Sequence, residues 1–274
     1  MDLAFRYAHD MIEFEPTVVL SNEQIDTYHE NGFLVVEQIS TPCEIAWMRE
    51  VYDRLFASRA GREVGDQFDL AGTDEEGNEA TLPQILGPSN YAPELKSGLY
   101  RTNILSIAKQ LLGDQAEWGG DHAIFKPALI GAETPWHQDE AYWDPEWQYN
   151  SFSAWMPLQE ATIENGCMWF IPGSHRVPIQ PHHSINHDPR IHGLEMDQVD
   201  TSKAVACPLA AGGCTFHHNA TMHYTGPNRS GIDRRAFIVG AGGPATKRID
   251  SRDFYWNRMK QTAREARRRE KLGS

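Results

Sequence analysis

DHAIFK (121–126), FSAWMPL (152–158), CMWFIPG (167–173), CTFHH (214–218) and RAFIVG (235–240) are the stretches that decide the fold. Each is short and rich in apolar, β-branched or aromatic residues, and Gly, Pro or Asn separates one from the next, so each reads as a strand bounded by turns. Several such strands at this spacing indicate a sandwich or barrel, starting near residue 115 and ending near residue 242. Ahead of it the pattern is largely helical. Ser21 with Gln24 is a capping-box signature for a helix through Ile25 and Tyr28 to Asn31, stopped by Gly32. FLVVEQI (33–39) reads as a strand, and Thr41, Pro42 and Glu44 cap a second helix with Ile45, Met48, Val51, Leu55 and Phe56 on one face. Residues 59–82 are rich in Gly, Asp and Glu without periodicity and read as an exposed loop. A third helix is expected over Ile104 to Leu112, ending at Gly113. The expectation is a mainly β protein with helices packed on the outside of its core.

The chain has 274 residues, no internal repeat and no composition shift that marks a boundary. It therefore reads as one domain: a helical part over 18–113, a core over about 115–242 and a C-terminal helix over about 251–271. A formal charge of −13 argues against a protein that neutralises phosphates, so no nucleic-acid partner is expected. The basic run from Arg258 to Lys271 reads as a solvated amphipathic helix. Cys43, Cys167, Cys207 and Cys214 form no C-x-x-C pair and read as reduced core residues. The opening MDLAFRYAHDMIEFEP lacks the basic start and apolar stretch of a signal peptide, and no run approaches the ~18 apolar residues of a membrane span. The cytosol is the expected compartment, with a small molecule rather than a membrane as partner.

Nine of the twelve histidines lie between positions 137 and 223. His182, His183, His187 and His192 sit in a Pro/Asp/Asn-rich loop and read as exposed or locally hydrogen-bonded, and His175 as a residue supporting a site. His137 differs: in W-H-Q-D it is followed two residues later by an acid, and in extended backbone residues i and i+2 face the same way, so His137 and Asp139 can bind one ion. A neutral imidazole and a carboxylate with positions left open suit a non-haem Fe(II) site completed by a distant His. On its own the pair is weak. The candidate third ligand lies in TFHHNATMHYTGPNRSGIDRRAF (215–237). If GPNRSG turns a hairpin, Thr225 faces Arg234 across it, with His223 on the same face. An imidazole, a hydroxyl and a guanidinium in one patch would suit a dicarboxylate that chelates a metal at one end and meets an Arg at the other. The alternative, a surface salt bridge for Arg234 and a core-filling His223, stays open on these residues alone.

The ordered set W-H-Q-D, ATIENGCMWFIPGSH and F-H…H-x-T-G-P-N-x-S…R-R, after the opening LSNEQIDTYHENGFLVV, resembles the phytanoyl-CoA dioxygenase family, particularly its domain-containing 1 branch, over roughly residues 18–242. The resemblance implies a double-stranded β-helix (jelly roll, cupin-like) core that holds Fe(II) on His137, Asp139 and His223. It implies 2-oxoglutarate as co-substrate, bound by Arg234 with help from Thr225, with Lys126 and Trp155 as pocket walls, and O2 as oxidant. The implied activity is hydroxylation of an unactivated C–H bond of a small organic substrate, with release of succinate and CO2. Asp139 matters here, since related halogenases lack this carboxylate. Gly212-Gly213-Cys214 departs from the Gly-Asp of many members and implies an altered turn. The aromatic segment Trp136, Tyr142, Trp143, Trp147, Tyr149 is a candidate substrate wall, with Trp136 read as packing, and the loop from Pro178 to Thr201 a candidate lid. A non-catalytic ligand-binding jelly roll and a zinc hydrolase or isomerase would keep the triad but give Arg234 no duty.

Overall fold

The computed structural model describes residues 14–75 and 77–272, so the opening stretch read against a signal peptide lies largely outside the described residues. Helix α1 (Asn22–Asn31) begins and ends as its sequence demands. The Ser21 hydroxyl accepts from the Gln24 N–H at 3.2 Å, and the Gln24 side chain accepts from the Ser21 N–H at 2.9 Å. Gly32 closes the helix at φ 80°, where a Cβ would also lie 2.3 Å from the His175 ring. Strand β1 (Phe33–Val36) stops three residues short of the expected Ile39. Among the described residues its one partner strand begins at Cys214, just after a turn whose Gly212 sits at φ 87°, so the Gly212-Gly213-Cys214 departure sets how far the pairing extends.

Helix α2 (Pro42–Ala57) buries Ile45, Met48, Val51 and Leu55 as expected, together with Trp47 and Tyr52, while Phe56 is partly buried. Its first turn also carries a buried carboxylate, Glu44. Glu44 accepts from Ser40 Oγ at 2.5 Å and from the backbone N–H groups of Leu99 and Tyr100 at 2.7 and 3.1 Å. Those N–H groups open a helix whose N-cap is Gly98, which has no side chain to offer. This long-range cap explains why that helix starts five residues earlier than its periodicity indicates.

The 59–82 segment is not an exposed loop. It contains β2 (Gln67–Asp69), buries Phe68, Leu70 and Leu82 against one another, and leads into β3 (Pro83–Leu86). Asp69 organises it by accepting from the N–H groups of Ala71, Thr81 and Leu82 at 3.0 to 3.1 Å. After the short α3 (Pro88–Tyr91) comes the Glu44-capped helix, α4 (Leu99–Leu112).

The remaining strands are β4 (Glu117–Lys126), β5 (Thr134–His137), β6 (Trp147–Gln148), β7 (Ser151–Pro157), β8 (Met168–Phe170), β9 (His183–Ser184), β10 (Leu194–Glu195), β11 (Val205–Cys207), β12 (Cys214–His218), β13 (His223–Thr225), β14 (Arg234–Gly242) and β15 (Thr246–Lys247). An antiparallel seven-stranded sheet has the order β1-β12-β7-β14-β4-β3-β2, and a four-stranded sheet the order β11-β8-β13-β5. The described residues before 113 thus supply three strands as well as helices. Strand alternation sorts the side chains of the large sheet. Phe152, Ala154, Met156, Cys214, Phe216, Phe237 and Val239 face α2 and α4 in one core. The alternate positions Trp155, Ala236 and Ile238 meet Met168, Phe170 and Cys207 of the small sheet in a second core. By the same parity Ser153, His217 and Arg234 point into the space between the sheets.

The expected hairpin across GPNRSG does not form. Strand β13 is flanked by β5 and β8, and β14 by β4 and β7, so the 226–233 segment crosses from one sheet to the other. Asn228 anchors the crossing: its Nδ2 donates to the carbonyls of Lys126 and Ile232 at 3.0 and 2.8 Å. Thr225 and Arg234 are brought together across the sandwich, not along a ladder.

The C-terminal segment forms α5 (Tyr255–Arg258) and α6 (Ala263–Leu272) and is less solvated than expected. Arg267 pairs with Asp74, and the Arg264 guanidinium lies 5.2 Å from the Phe68 ring, docking the helix on the 59–82 segment. Cys167, Cys207 and Cys214 are buried and free, but Cys43 is exposed, because α2 turns that position outward. No helix among the described residues is long and apolar enough to cross a membrane.

Glu44→Ala should leave the first N–H groups of α4 without their acceptor and lower unfolding stability by about 2 kcal/mol in urea denaturation. Glu44→Gln, which retains an acceptor oxygen, should recover part of it. An unchanged midpoint for the Ala variant would show that α4 does not depend on this cap.

Candidate metal centre

His137 is the last residue of β5, and Asp139 opens a short 3-10 turn (Asp139–Tyr142). Gln138 between them is extended, at φ −122° and ψ 128°, so the alternation that puts His137 and Asp139 on one face persists past the end of the strand. His223 heads β13 directly opposite His137 in antiparallel register, with ring centroids 4.1 Å apart. The Asp139 Oδ1 atom lies 3.5 Å from His137 Nε2 and 3.4 Å from His223 Nε2.

The far side of each ring fixes its tautomer. His137 Nδ1 lies 2.8 Å from the Pro135 carbonyl and His223 Nδ1 lies 2.9 Å from the Thr221 carbonyl. A proton on each Nδ1 satisfies those carbonyls and leaves both Nε2 lone pairs aimed at the carboxylate. Burial lowers the pKa of His137, with His223 adding to the effect, which favours the neutral, metal-binding form. Burial opposes the charge on Asp139, and a proton or a cation on the facing side of His223, His137 and His217 outweighs it and holds the carboxyl well below the ordinary range, a role that a metal ion takes when both Nε2 atoms are bare. Two imidazole lone pairs and an ionised carboxylate converging in a buried space fit a divalent cation with open coordination positions.

Two further groups touch Asp139. Ser153 Oγ donates to Oδ2 at 2.7 Å, and His217 Nε2 stands 3.4 Å from the same oxygen. Neither was singled out from the sequence. Strand alternation carries the signal, since Cys214 and Phe216 face the helices and oblige His217 to face inward.

Arg234 opens β14 and is 1% exposed. Its Nε and Nη1 have no hydrogen-bond partner, and among the described residues no carboxylate forms an ion pair with it. The guanidinium carbon lies 5.4 Å from the Trp155 ring. Burial lowers its pKa to about 10, so it remains a cation at neutral pH. The Thr225 hydroxyl donates to Thr134 Oγ1 at 2.9 Å. The triad, Thr225, Arg234 and Trp155 line one cavity of about 1190 Å³. Lys126 does not line it: its Nζ donates to the carbonyls of Ala132, Gly226 and Thr225 at 2.7, 2.7 and 3.3 Å. It ties the crossing segment to the sheet instead.

Of the aromatic segment, Tyr142, Trp143 and Tyr149 line the cavity, while Trp136 stacks on Tyr224 at 5.4 Å and Trp147 lies in the β6–β15 pair. The stretch from 178 to 201 forms the β9–β10 pair and is tied to Gln138. Gln138 N donates to His182 Nε2 at 3.1 Å, and Gln180 N donates to Gln138 Oε1 at 2.9 Å. His182 is therefore buried and, as one of the two expected readings has it, locally hydrogen-bonded, with Nδ1 2.7 Å from the Gln180 carbonyl, and His192 reaches the cavity wall beside Tyr142 and Phe68. His175 packs over Gly32, with its ring 5.7 Å from that of His218.

An antiparallel sandwich enclosing a two-histidine, one-carboxylate centre belongs to the class of non-haem iron oxygenases. Residues 28–236 match the model of the phytanoyl-CoA dioxygenase (PhyH) family, and the chain belongs to that family. The crystal structure of EvdO2 from Micromonospora carbonacea var. aurantiaca, complexed with 2-oxoglutarate, is 37% identical with a TM-score of 0.75, covering 89% of this chain and 99% of that one. A probable alpha-ketoglutarate-dependent hypophosphite dioxygenase of Stutzerimonas stutzeri is 25% identical, over 80% of this chain and 77% of its own length. The phytanoyl-CoA dioxygenase domain-containing protein 1 of Mus musculus is 24% identical, over 80% of this chain and 89% of its own. The family is one of 2-oxoglutarate-dependent non-haem iron dioxygenases, and this chain is an enzyme of that kind.

Ser153→Ala should leave the fold intact and weaken iron binding about 10-fold or more, because it frees a carboxylate that the hydroxyl orients. Competition against a chromophoric chelator measures this, and unchanged affinity would reduce Ser153 to a polar filler.

Proposed function

We propose that this chain hydroxylates an unactivated C–H bond of a small organic substrate, with iron on His137, Asp139 and His223 and the distal carboxylate of 2-oxoglutarate on Arg234. The observation that carries this reading is the buried guanidinium with free donors in the same cavity as the triad. A buried cation without a counter-charge is costly, and a carboxylate is the partner that a planar fork of donors fits best. Thr225 adds a hydroxyl to that end of the cavity, and Trp155 lies against the guanidinium and limits its hydration. When bound, iron and 2-oxoglutarate supply the oxidising chemistry, in which O2 is consumed, succinate and CO2 are released and a hydroxyl is added to the substrate.

The protein's own part is positioning. The Pro135 and Thr221 carbonyls hold the imidazole tautomers, and Ser153 holds the carboxylate. Tyr142 is fixed as a wall by the Leu194 N–H, which donates to its hydroxyl at 2.7 Å. No side chain is needed as a general base. The two sheets are read as a double-stranded β-helix, with the helical 18–113 part and the C-terminal helix belonging to the same domain as the 115–242 core.

Anaerobic addition of Fe(II) and 2-oxoglutarate to the apoprotein should produce the weak visible charge-transfer band of a chelate, and His137→Ala should lose it. Arg234→Ala should weaken 2-oxoglutarate binding by roughly 2–5 kcal/mol, about 30-fold at least, while leaving iron binding unchanged. A folded, iron-loaded protein without the band, or an Arg234→Ala variant with normal 2-oxoglutarate affinity, would favour a zinc or non-catalytic binding protein.

A further inference from the structure

The cavity carries more positive charge than iron and 2-oxoglutarate use, and its volume of about 1190 Å³ exceeds what a five-carbon diacid fills. Among the acids on its wall, Asp121 is ion-paired with Arg101 and Asp139 belongs to the metal centre, which leaves Glu265. Among the bases, Arg234 faces the co-substrate and Lys96 is exposed to solvent, which leaves Lys260 and Arg264. Two cations against one acid is an excess of positive charge inside a chain whose formal charge is −13.

Both cations come from the C-terminal segment, Lys260 from the turn between α5 and α6 and Arg264 from the first turn of α6. That turn is fixed by Gln261, whose N–H donates to the Pro189 carbonyl at 2.8 Å, and by a capping box. Thr262 Oγ1 accepts from the Glu265 N–H at 3.2 Å, and Glu265 Oε2 accepts from the Thr262 N–H at 3.3 Å. The Glu265 carboxylate is thereby engaged with the backbone, and among the described residues it forms no ion pair with Lys260 or Arg264. The half-buried Lys260 Nζ lies 4.6 Å from the centroid of the Tyr142 ring, which in turn lies 6.2 Å from the ring of the metal ligand His137. Burial lowers the Lys260 ammonium to about 7 although Glu265 opposes the shift, and Arg264 adds to it. Arg264 Nε is buried without a hydrogen-bond partner, and so is Nδ1 of His192, whose ring stacks on Tyr142 at 5.8 Å. Two cations and an imidazole thus surround one end of the cavity with donors unused.

We propose that Lys260, Arg264 and His192 form a second anion subsite of the cavity, which holds a free carboxylate of the substrate that is oxidised. This rests on the oxygenase reading of the cavity. A desolvated ammonium and a guanidinium with a free donor are both stabilised by an oxyanion between them, the one as a point charge and the other as a directed donor. The guanidinium is already held against the Phe68 ring, so little freedom is lost when it meets the ligand. His192 is kept neutral by burial and by the two cations beside it, and supplies a donor without adding charge. Once Glu265 is counted, one positive charge is left over, which a single carboxylate balances and a phosphate chain overfills. Trp143 and Tyr149, on the wall of the same cavity, suit the apolar body of such an acid. The basic C-terminal run therefore contributes to substrate choice, while Arg234 receives the co-substrate.

Calorimetric titration of the anaerobic protein, loaded with Fe(II) and 2-oxoglutarate, with hydrocinnamate, hydrocinnamamide and phenylpropyl phosphate tests the subsite. The wild type should bind the carboxylate about 10-fold more tightly than the neutral amide, and more tightly than the phosphate. Lys260→Met and Arg264→Met, which keep the aliphatic packing, should each lose most of the preference for acid over amide, and Lys260→Arg should retain it. Affinity for 2-oxoglutarate should be the same in all three variants. No binding of the acid, an amide that binds as well, or a preference that survives in both Met variants would overturn the subsite, and tighter binding of the phosphate would overturn its assignment to a carboxylate. The visible charge-transfer band reports iron and 2-oxoglutarate alone. Its absence therefore counts against the oxygenase reading, while the preference for acid over amide is read by heat in either case.

Discussion

The structure turns on a half-buried carboxylate that faces imidazole nitrogens. Partial burial opposes the charge on Asp139, and the groups within reach of its oxygens are His137, His217, His223 and Ser153. Such a site tolerates the charge only with a cation among those groups, a shared proton or a metal ion. The register that sets His223 opposite His137 gathers two of the donors, and extended Gln138 delivers the third. Backbone carbonyls behind the rings then decide which nitrogen is bare. No single element makes the centre, so it exists only when the small sheet has paired in this register.

A complementary problem is posed by Arg234. Its guanidinium is buried with open donors, a few residues of strand away from where the large sheet packs on the small one. A fold selected for stability alone would place a neutral side chain there. The cavity thus holds a cluster of lone pairs and an unanswered cation, and a ligand that is anionic at one end and a metal chelator at the other satisfies both. This pairing of opposite deficits in one enclosure distinguishes the enzymatic reading from a bare metal site, because a zinc site of the same three ligands would leave the guanidinium unexplained.

Local signals were legible wherever the cause was local. The Ser21–Gln24 capping box, the Thr41-Pro42 start of α2, the five strand segments and the i, i+2 pairing of His137 with Asp139 all follow from a few adjacent residues. What could not be read depends on partners far along the chain. Helix α4 begins early because Glu44 caps it from 55 residues away. The acidic 59–82 segment folds because Asp69 gathers three N–H groups and Asp74 meets Arg62 and Arg267. Charge-rich composition there signalled exposure, whereas the charges are consumed in holding the turn.

The hairpin expected around GPNRSG shows how a site can be anticipated for the wrong geometric reason. Thr225 and Arg234 do share a cavity, but through two sheets closing on each other. A two-strand ribbon would have set their separation by local ladder geometry alone. In the sandwich, that separation depends on the packing of Trp155 and Ile238 against Met168 and Phe170, and on Lys126 and Asn228 holding the crossing segment. Lys126 thereby acts on the cavity without lining it. By drawing the Thr225 and Gly226 carbonyls onto the large sheet, its Nζ determines how closely the hydroxyl and the guanidinium approach, which makes the sheet-to-sheet distance itself a determinant of co-substrate fit.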